Sequence, residues 1–451
     1  MEKIKNNIEE ILKNTREENE ELYLRLNDSV SLDSYEPKGE AWTSALQKAL
    51  NEHQIVYIPK NEKPYIIDDS IIIPSNRRII ADNEAVIKLK DGVTVLMLRN
   101  ADTADGTHMP ITKKRSENIS IEGGIWEDWC PHRMGYGGSG KYDTSRSFFG
   151  VSTCMLLENI NRLTLKNMTF RKCGGFALQI GEANDVVIEN ITFDTCYADG
   201  VHVNGNVENI YISNVKGYVG DDLVAFNMFD WQDSSINFGP CKNVICQDLD
   251  LYPNSHYKAL RIEPGVYTFD DGSKVDCSLE NAIFRRISGI KTFKLYCQTP
   301  PYSPSEGPEP VSVGSGDNIF FEDIKINLYA PIDLLKEYTE SDSIKGSIAG
   351  FELGLNVKNI YFKNIDITLY QDKYPYSYLL CIGPKSSRFD DGTEVFDPYF
   401  SSIAENVYLE NITVNGEKPK DILPYVREIV FDSLYDDIPS TGYGKIKNLI
   451  Y

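Results

Sequence analysis

Several things are scarce in this chain, and each scarcity removes a class of protein. No stretch approaches the roughly 18 consecutive apolar residues that a membrane-spanning helix needs. The opening segment MEKIKNNIEEILKNTREENEEL carries acid where a secretory signal would be apolar. A cytoplasmic protein with no membrane partner is expected. Positive charge is in deficit, with 46 Lys and Arg against 67 Asp and Glu and a net charge of −21, so the summed field repels nucleic acid and anionic lipid. No nucleic-acid partner is expected. The cysteines (Cys130, Cys154, Cys173, Cys196, Cys241, Cys246, Cys277, Cys297 and Cys381) are odd in number, without a CxxC pair or a histidine at zinc spacing. That pattern argues against a disulfide framework and a zinc site, and for free thiols in a reducing compartment.

What is present is a repeat. The motif apolar-x-(Asn/Asp)-apolar recurs as LKNM, IENI, ISNV, CQDL, FEDI, FKNI and LENI, with FRRI in series but departing at the polar position. Its third residues are Asn167, Asn190, Asn214, Asp248, Arg286, Asp323, Asn364 and Asn411, and the first two intervals are 23 and 24 residues. That is one coil of a β-solenoid, and the longer later intervals imply inserted loops. Segments such as NRLTLKNMTF and NIYFKNIDI alternate apolar and polar with period two, so each has one face to bury and none can bury it alone. Stacked coils share one core and pair their backbones above and below. The fold expected is therefore all-β, a single-stranded right-handed parallel β-helix over residues 35–451, with long loops in its C-terminal half. Asn at equivalent corners is expected to form side-chain ladders, and Cys173 stacks on Cys196 as buried thiols.

Residues 1–34 read as an N-terminal helical extension, with Ile4, Ile8, Ile11, Leu22 and Leu26 near i, i+4, i+7 spacing. It is expected to cap the open coil end, and a homo-oligomer contact through it stays open. A second helical stretch, AWTSALQKALNEH, precedes the first short β-rich runs.

Coil alignment places GFALQIG, ADGVHVNG, DDLVAFN, YKALRIEPG and KTFKLY on one sheet. In that register Val201, Val203, Val224, Phe226, Leu260 and Ile262 face inward, while Gln179, His202, Ala225, Arg261 and Lys294 form an outward row with rungs about 4.8 Å apart. Asp199 and Asp222, 23 residues apart, match at the strand start with Asp221 beside them. Carboxylates this close cannot all ionise comfortably, and a proton-retaining acid beside a base is what glycoside hydrolysis requires. A Ca²⁺ site and a ladder of turn-capping aspartates are the competing uses. Trp126, Trp129, Trp231, Tyr136, Tyr257 and Tyr296 fall in or beside flanking loops, where Trp231 is a candidate for stacking on a sugar. The Gly-rich GIWEDWCPHRMGYGGSGKY, with His132 and Arg133, lacks phosphate-loop spacing and reads as a pocket wall.

These residues carry a resemblance. YADGVHV is similar to the Asn-Thr-Asp-Gly segment of the polygalacturonase-type glycoside hydrolases, family 28, VGDDLVAFN resembles their Gly-Asp-Asp segment, and LRIEPG resembles their Arg-Ile-Lys segment. The likeness covers roughly residues 35–300. It implies an inverting hydrolase of oligosaccharides, pectin-derived or otherwise uronate-containing, with Asp222 as general acid, Asp199 and Asp221 holding the water, and Arg261 binding the sugar beside the scissile bond. No cofactor or resident metal is implied. Two departures stand out. INFGPCKNV has no histidine where a His-Gly segment belongs, leaving His202 of the preceding coil as a partial substitute. Glu263 replaces the lysine of Arg-Ile-Lys, so either Lys258 or Lys294 supplies that charge or the sugar is not a uronate; Glu263 could also join the acid/base set. A Ca²⁺-dependent lyase and a non-catalytic glycan-binding β-helix remain the alternatives on the same scaffold.

Overall fold

The computed structural model describes residues 1–93, 95–103, 114–128, 153–230, 235–253, 255, 259–269, 271–289, 293–296, 312–328, 348–369, 377–383, 401–428 and 444–451, and the backbone of four short strands at 141–143, 148–149, 386–388 and 394–396. Trp129, His132, Arg133, Tyr136, Trp231, Tyr257 and Lys258 lie outside the described residues, as does the Tyr296 side chain.

Alternating segments have no way to bury their apolar face except against copies of themselves, and the chain winds accordingly. Twenty-six strands join in one continuous ladder. Successive coils pair in parallel, as Thr153–Lys166 with Phe176–Cys196, then Val207–Val219, Cys241–Leu251 and Leu279–Ser288. This is the right-handed parallel β-helix expected from the repeat. Inside, side chains stack like on like: Phe284, Phe321 and Phe362 follow one another at ring spacings of 5.2 and 5.5 Å. Val201, Val203, Val224, Phe226, Leu260 and Ile262 are all buried in this core.

The corners explain the repeated Asn and Asp. Asn167, Asn190, Asn214, Asp248, Arg286, Asp323, Asn364 and Asn411 all adopt positive φ, between 52° and 58°, a conformation short polar side chains tolerate best. Where Asn residues stack, amides tie one turn to the next, Asn190 Nδ2 to Asn167 Oδ1 at 2.9 Å and Asn214 Nδ2 to Asn190 Oδ1 at 2.8 Å. Where FRRI breaks the motif, Arg286 replaces the amide ladder with two bonds to Asp248, at 2.6 and 2.8 Å. Cys173 pairs with Cys196 on the next coil, and both are free, buried thiols.

Among the described residues two α-helices stand outside the coil. Helix α2 (Thr43–Glu52) is the end cap: Ala45, Leu46, Ala49 and Leu50 enter the main core beside Val56, Ile58 and Ile67. Gln47 satisfies both polar groups of Ile72, on strand Ile71–Ile73, accepting from its N–H and donating to its carbonyl at 2.8 Å each. Helix α1 (Glu2–Leu24) does not close the end. It lies lengthwise along the flank, where Ile8 and Leu12 pack on an outward apolar row of Val187, Tyr211, Ile245, Ile283 and Phe320, one residue per coil. Its buried stripe, Ile8, Leu12, Thr15, Asn19 and Tyr23, turns polar toward the C-terminus. There Asn19 donates to Asp185 O at 2.9 Å and Tyr23 to Ile119 O at 2.8 Å. Ion pairs Lys5–Glu322 and Arg16–Glu189, each 2.6 Å, fix its register along the coils. Among the described residues no helix is long and apolar enough to cross a membrane.

Leu12 is wholly buried under this strap, so Leu12→Ala is expected to cost about 3 kcal/mol of docking free energy. Hydrogen exchange should then accelerate across α1 while the coil amides stay protected; equal protection in both proteins would show that the strap does not depend on this contact.

Candidate functional site

The polar row runs as the coil register requires. Gln179 pairs with His202, His202 with Ala225, Ala225 with Arg261, and Arg261 with Lys294. The next rung adds Glu352, opposite Lys294.

The aspartates sit on the turn that leads into this sheet, and glycine makes that turn possible. A Cβ on Gly200 would lie 2.6 Å from the Phe193 ring and 2.7 Å from Leu223 O, and one on Gly220 would lie 1.9 Å from Tyr197 O. Only glycine admits so close an approach between coils. Asp199 Oδ1 accepts the Asp222 backbone N–H at 2.9 Å, tying the matched positions together. One carboxylate oxygen each from Asp199, Asp221 and Asp222 lie within 4.8 Å of one another. Asp199 and Asp222 are buried and Asp221 is half-buried.

The surroundings are more closed than an open groove. Gln179, His202 and Ala225 point away from the coil interior, yet all are at most 1% exposed. The insertion after strand Val224–Asn227 closes over them, because Asp230 reaches His202 and the Ile236 N–H bonds Asn204 Oδ1 at 3.2 Å. Phe176 stacks on the His202 ring at 4.0 Å. Only from Arg261 onward does the row open, with side-chain exposures of 15% at Arg261 and 28% at Lys294.

His202 is held from both sides, Nδ1 2.6 Å from Asp199 Oδ2 and Nε2 2.9 Å from Asp230 Oδ2. Burial alone would disfavour the cation, but the hydrogen bonds and charges of the two aspartates outweigh it and push the pKa up to about 10. At neutral pH the ring is therefore a fixed imidazolium. Asn204 lies 3.3 Å from Nε2 and receives the Gln179 amide at 2.9 Å, so Gln179 orients this network from within a buried layer. Arg261 faces Asp222 at 3.5 Å and bonds Glu263 two residues on. Glu263 itself is fully buried. Lys294 pairs with Glu352 at 3.6 Å.

Coil register alone locates Asp199, Asp221, Asp222, His202, Arg261 and Lys294. Asp230 and Glu352 escaped it, since each pairing crosses an insertion whose path has no period. Trp126 departs from the loop-aromatic expectation: it is 1% exposed and donates to Gly123 O at 3.0 Å, a core residue.

Among the described residues two groups have a metal-compatible arrangement. The three site aspartates offer hard oxygen donors suited to Ca²⁺. Asp128, Cys154 and Cys173 form the second, inside the coil. There Asp128 accepts the Gly174 N–H at 2.8 Å, and burial, with hydrogen bonds to Cys154 and Cys196, raises the Cys173 pKa and keeps it a thiol.

A polar site on the flank of a right-handed parallel β-helix is thus the class that fold and geometry define. No known family model matches the chain, and no curated protein matches it in sequence. Among solved structures it is similar to the pre-mature gene product 12 of bacteriophage phi29, at 14% identity and a TM-score of 0.50, over 85% of this chain and 52% of that one. Others are a hyperthermoactive exopolygalacturonase from Thermotoga maritima, at 12% identity and TM-score 0.48 over 90% and 97% of the two chains, and the surface adhesin PfbA of Streptococcus pneumoniae, at 12% and 0.43 over 94% and 92%. At these identities the likeness is one of fold.

Protonation of His202 has a direct readout. Its raised pKa means that its contribution to stability is complete below the ordinary value of 6.5 and is lost as pH rises through about 10. Nitrogen-15 NMR should show an imidazolium for His202 at pH 8, whereas a neutral-ring pattern there would contradict the double carboxylate clamp.

Proposed function

We propose that this chain is a glycoside hydrolase of the polygalacturonase type, acting inside the cell on oligosaccharides. The observation that carries the reading is the convergence of Asp199, Asp221 and Asp222, with carboxylate oxygens within 4.8 Å, beside Arg261 at 3.5 Å from Asp222. An acid beside a base is the pair that glycoside hydrolysis uses, and clustered carboxyl groups can supply both.

In this reading Asp222 protonates the leaving glycosidic oxygen. Asp199 and Asp221 hold a water and take its proton as its oxygen bonds to the anomeric carbon. The spacing is shorter than the roughly 6.5–9.5 Å usual between the acid and base of an inverting enzyme, so the water sits against the Asp199–Asp221 pair and not in a gap between the catalytic groups. Arg261 turns its guanidinium toward the sugar beside the scissile bond. His202, hydrogen-bonded to Asp199 through Nδ1, fixes the orientation of that carboxyl group. Asp222 is fully covered and Asp221 only partly, so the sugar enters from the Asp221 side and displaces what covers Asp222.

The same three oxygens could also be bridged by one Ca²⁺, which favours a lyase as the second reading. Arg261 would then have to act as the base that removes the α-proton, although its contacts with Asp222 and Glu263 hold it protonated.

A panel of oligosaccharides scored for reducing ends and for ultraviolet absorbance separates the two. Asp222→Asn is expected to lower turnover about 10²–10⁴-fold, with no unsaturated product and no effect of chelator. Proton NMR of the first-formed anomer should show inversion. Turnover untouched by Asp222→Asn would remove the assignment of the acid, and chelator-sensitive absorbance would replace the hydrolase with the lyase.

A further inference from the structure

We infer that the sugar recognised at this site carries no carboxylate: the substrate class is a neutral glycan and not a uronate. The inference deepens the hydrolase reading and rests on it for where the sugar lies.

Recognition of a uronate needs a cation whose charge is not already answered by the protein. Among the described residues, which do not include Lys258, the row offers three, and each faces acid at close range. His202 is bonded by Asp199 and Asp230 at 2.6 and 2.9 Å. Arg261 is engaged by Glu263 and by Asp222 at 3.5 Å. Lys294 is paired with Glu352 at 3.6 Å. In these contacts three cations meet five carboxyl groups.

Another carboxylate entering here would meet like charge in a desolvated setting, which is a built-in penalty against such a ligand. Glu263 sharpens the point. It is fully buried on the strand that carries Arg261, where it occupies the guanidinium from the protein's own side. Sugar hydroxyls can donate to the ionised carboxylates of the row without bringing further negative charge. The chemistry of the row therefore matches a polyhydroxyl surface without charge.

The test uses the full chain and two sets of oligosaccharides matched in length, neutral hexose oligomers of several linkages and oligogalacturonides. Wild type is assayed for reducing ends and, at a temperature where turnover is slow, for binding by calorimetry. Cleavage and binding confined to neutral sugars is the expected result. Cleavage of oligogalacturonides overturns the inference and leaves the hydrolase reading standing. Binding of neutral sugars without cleavage by wild type supports the inference and removes the hydrolase, and binding of neither set removes both. Glu352→Gln supplies a second arm on a partly exposed pair, where a lost carboxylate does not threaten folding. Release of Lys294 should raise oligogalacturonide affinity about threefold, in the range of a screened surface pair. A wild-type affinity already equal for the two sets, unmoved by this substitution, counts against the inference.

Discussion

In-register stacking of parallel coils is the constraint from which everything else follows. Because each rung's backbone must bond to the next, a residue is carried onto its counterpart one coil later, whatever its chemistry. Interior positions exploit this with aromatic and aliphatic stacks, and corners with Asn ladders at positive φ. The same rule forces Asp199 onto Asp222 and Arg261 onto Lys294. Like charges gather on adjacent rungs unless something offsets them, so a polar row on a solenoid flank is electrostatically demanding by construction.

The protein meets that demand with one residue from outside the repeat and with carboxylates on the coil strands themselves. Asp230 arrives on an insertion and, with Asp199, encloses His202, converting a weakly basic ring into a permanent cation among carboxylates. Glu263 and Glu352 close off Arg261 and Lys294 in turn. Removing one member of the buried Asp199–His202–Asp230 set leaves its partners uncompensated, so these three charges act as a unit. The apolar flank row is handled by the same logic at lower stakes. Tyr211, Ile245 and Ile283 would be exposed on successive rungs, and α1 covers them using two apolar side chains, then switches to amide and hydroxyl bonds where the row becomes polar.

Much of this was legible in the residues. The 23-residue interval between Asn167 and Asn190 implied the coil, and extending it to Asp199 and Asp222 put the carboxylates together. The outward row from Gln179 to Lys294 followed from strand alternation alone. Legibility ended wherever the period did. Asp230 and Glu352 follow insertions of irregular length, so no spacing pointed to them. The role of α1 was hidden for a different reason: its buried stripe turns polar, so hydrophobic spacing singled out Ile4, Ile8, Ile11, Leu22 and Leu26, of which Ile8 is buried with Ile4 packed beside it, and passed over Asn19 and Tyr23.

By itself, then, the order of residues determined the coil, its register, the corner chemistry and the meeting of three aspartates, because each of these depends only on local period and backbone pairing. What tertiary structure decided was which charges are answered, which side chains are covered, and that the end cap is α2 while α1 runs along the flank. Those outcomes turn on contacts between segments whose separation obeys no repeat, and burial and electrostatic pairing are set by what finally lies within a few ångströms.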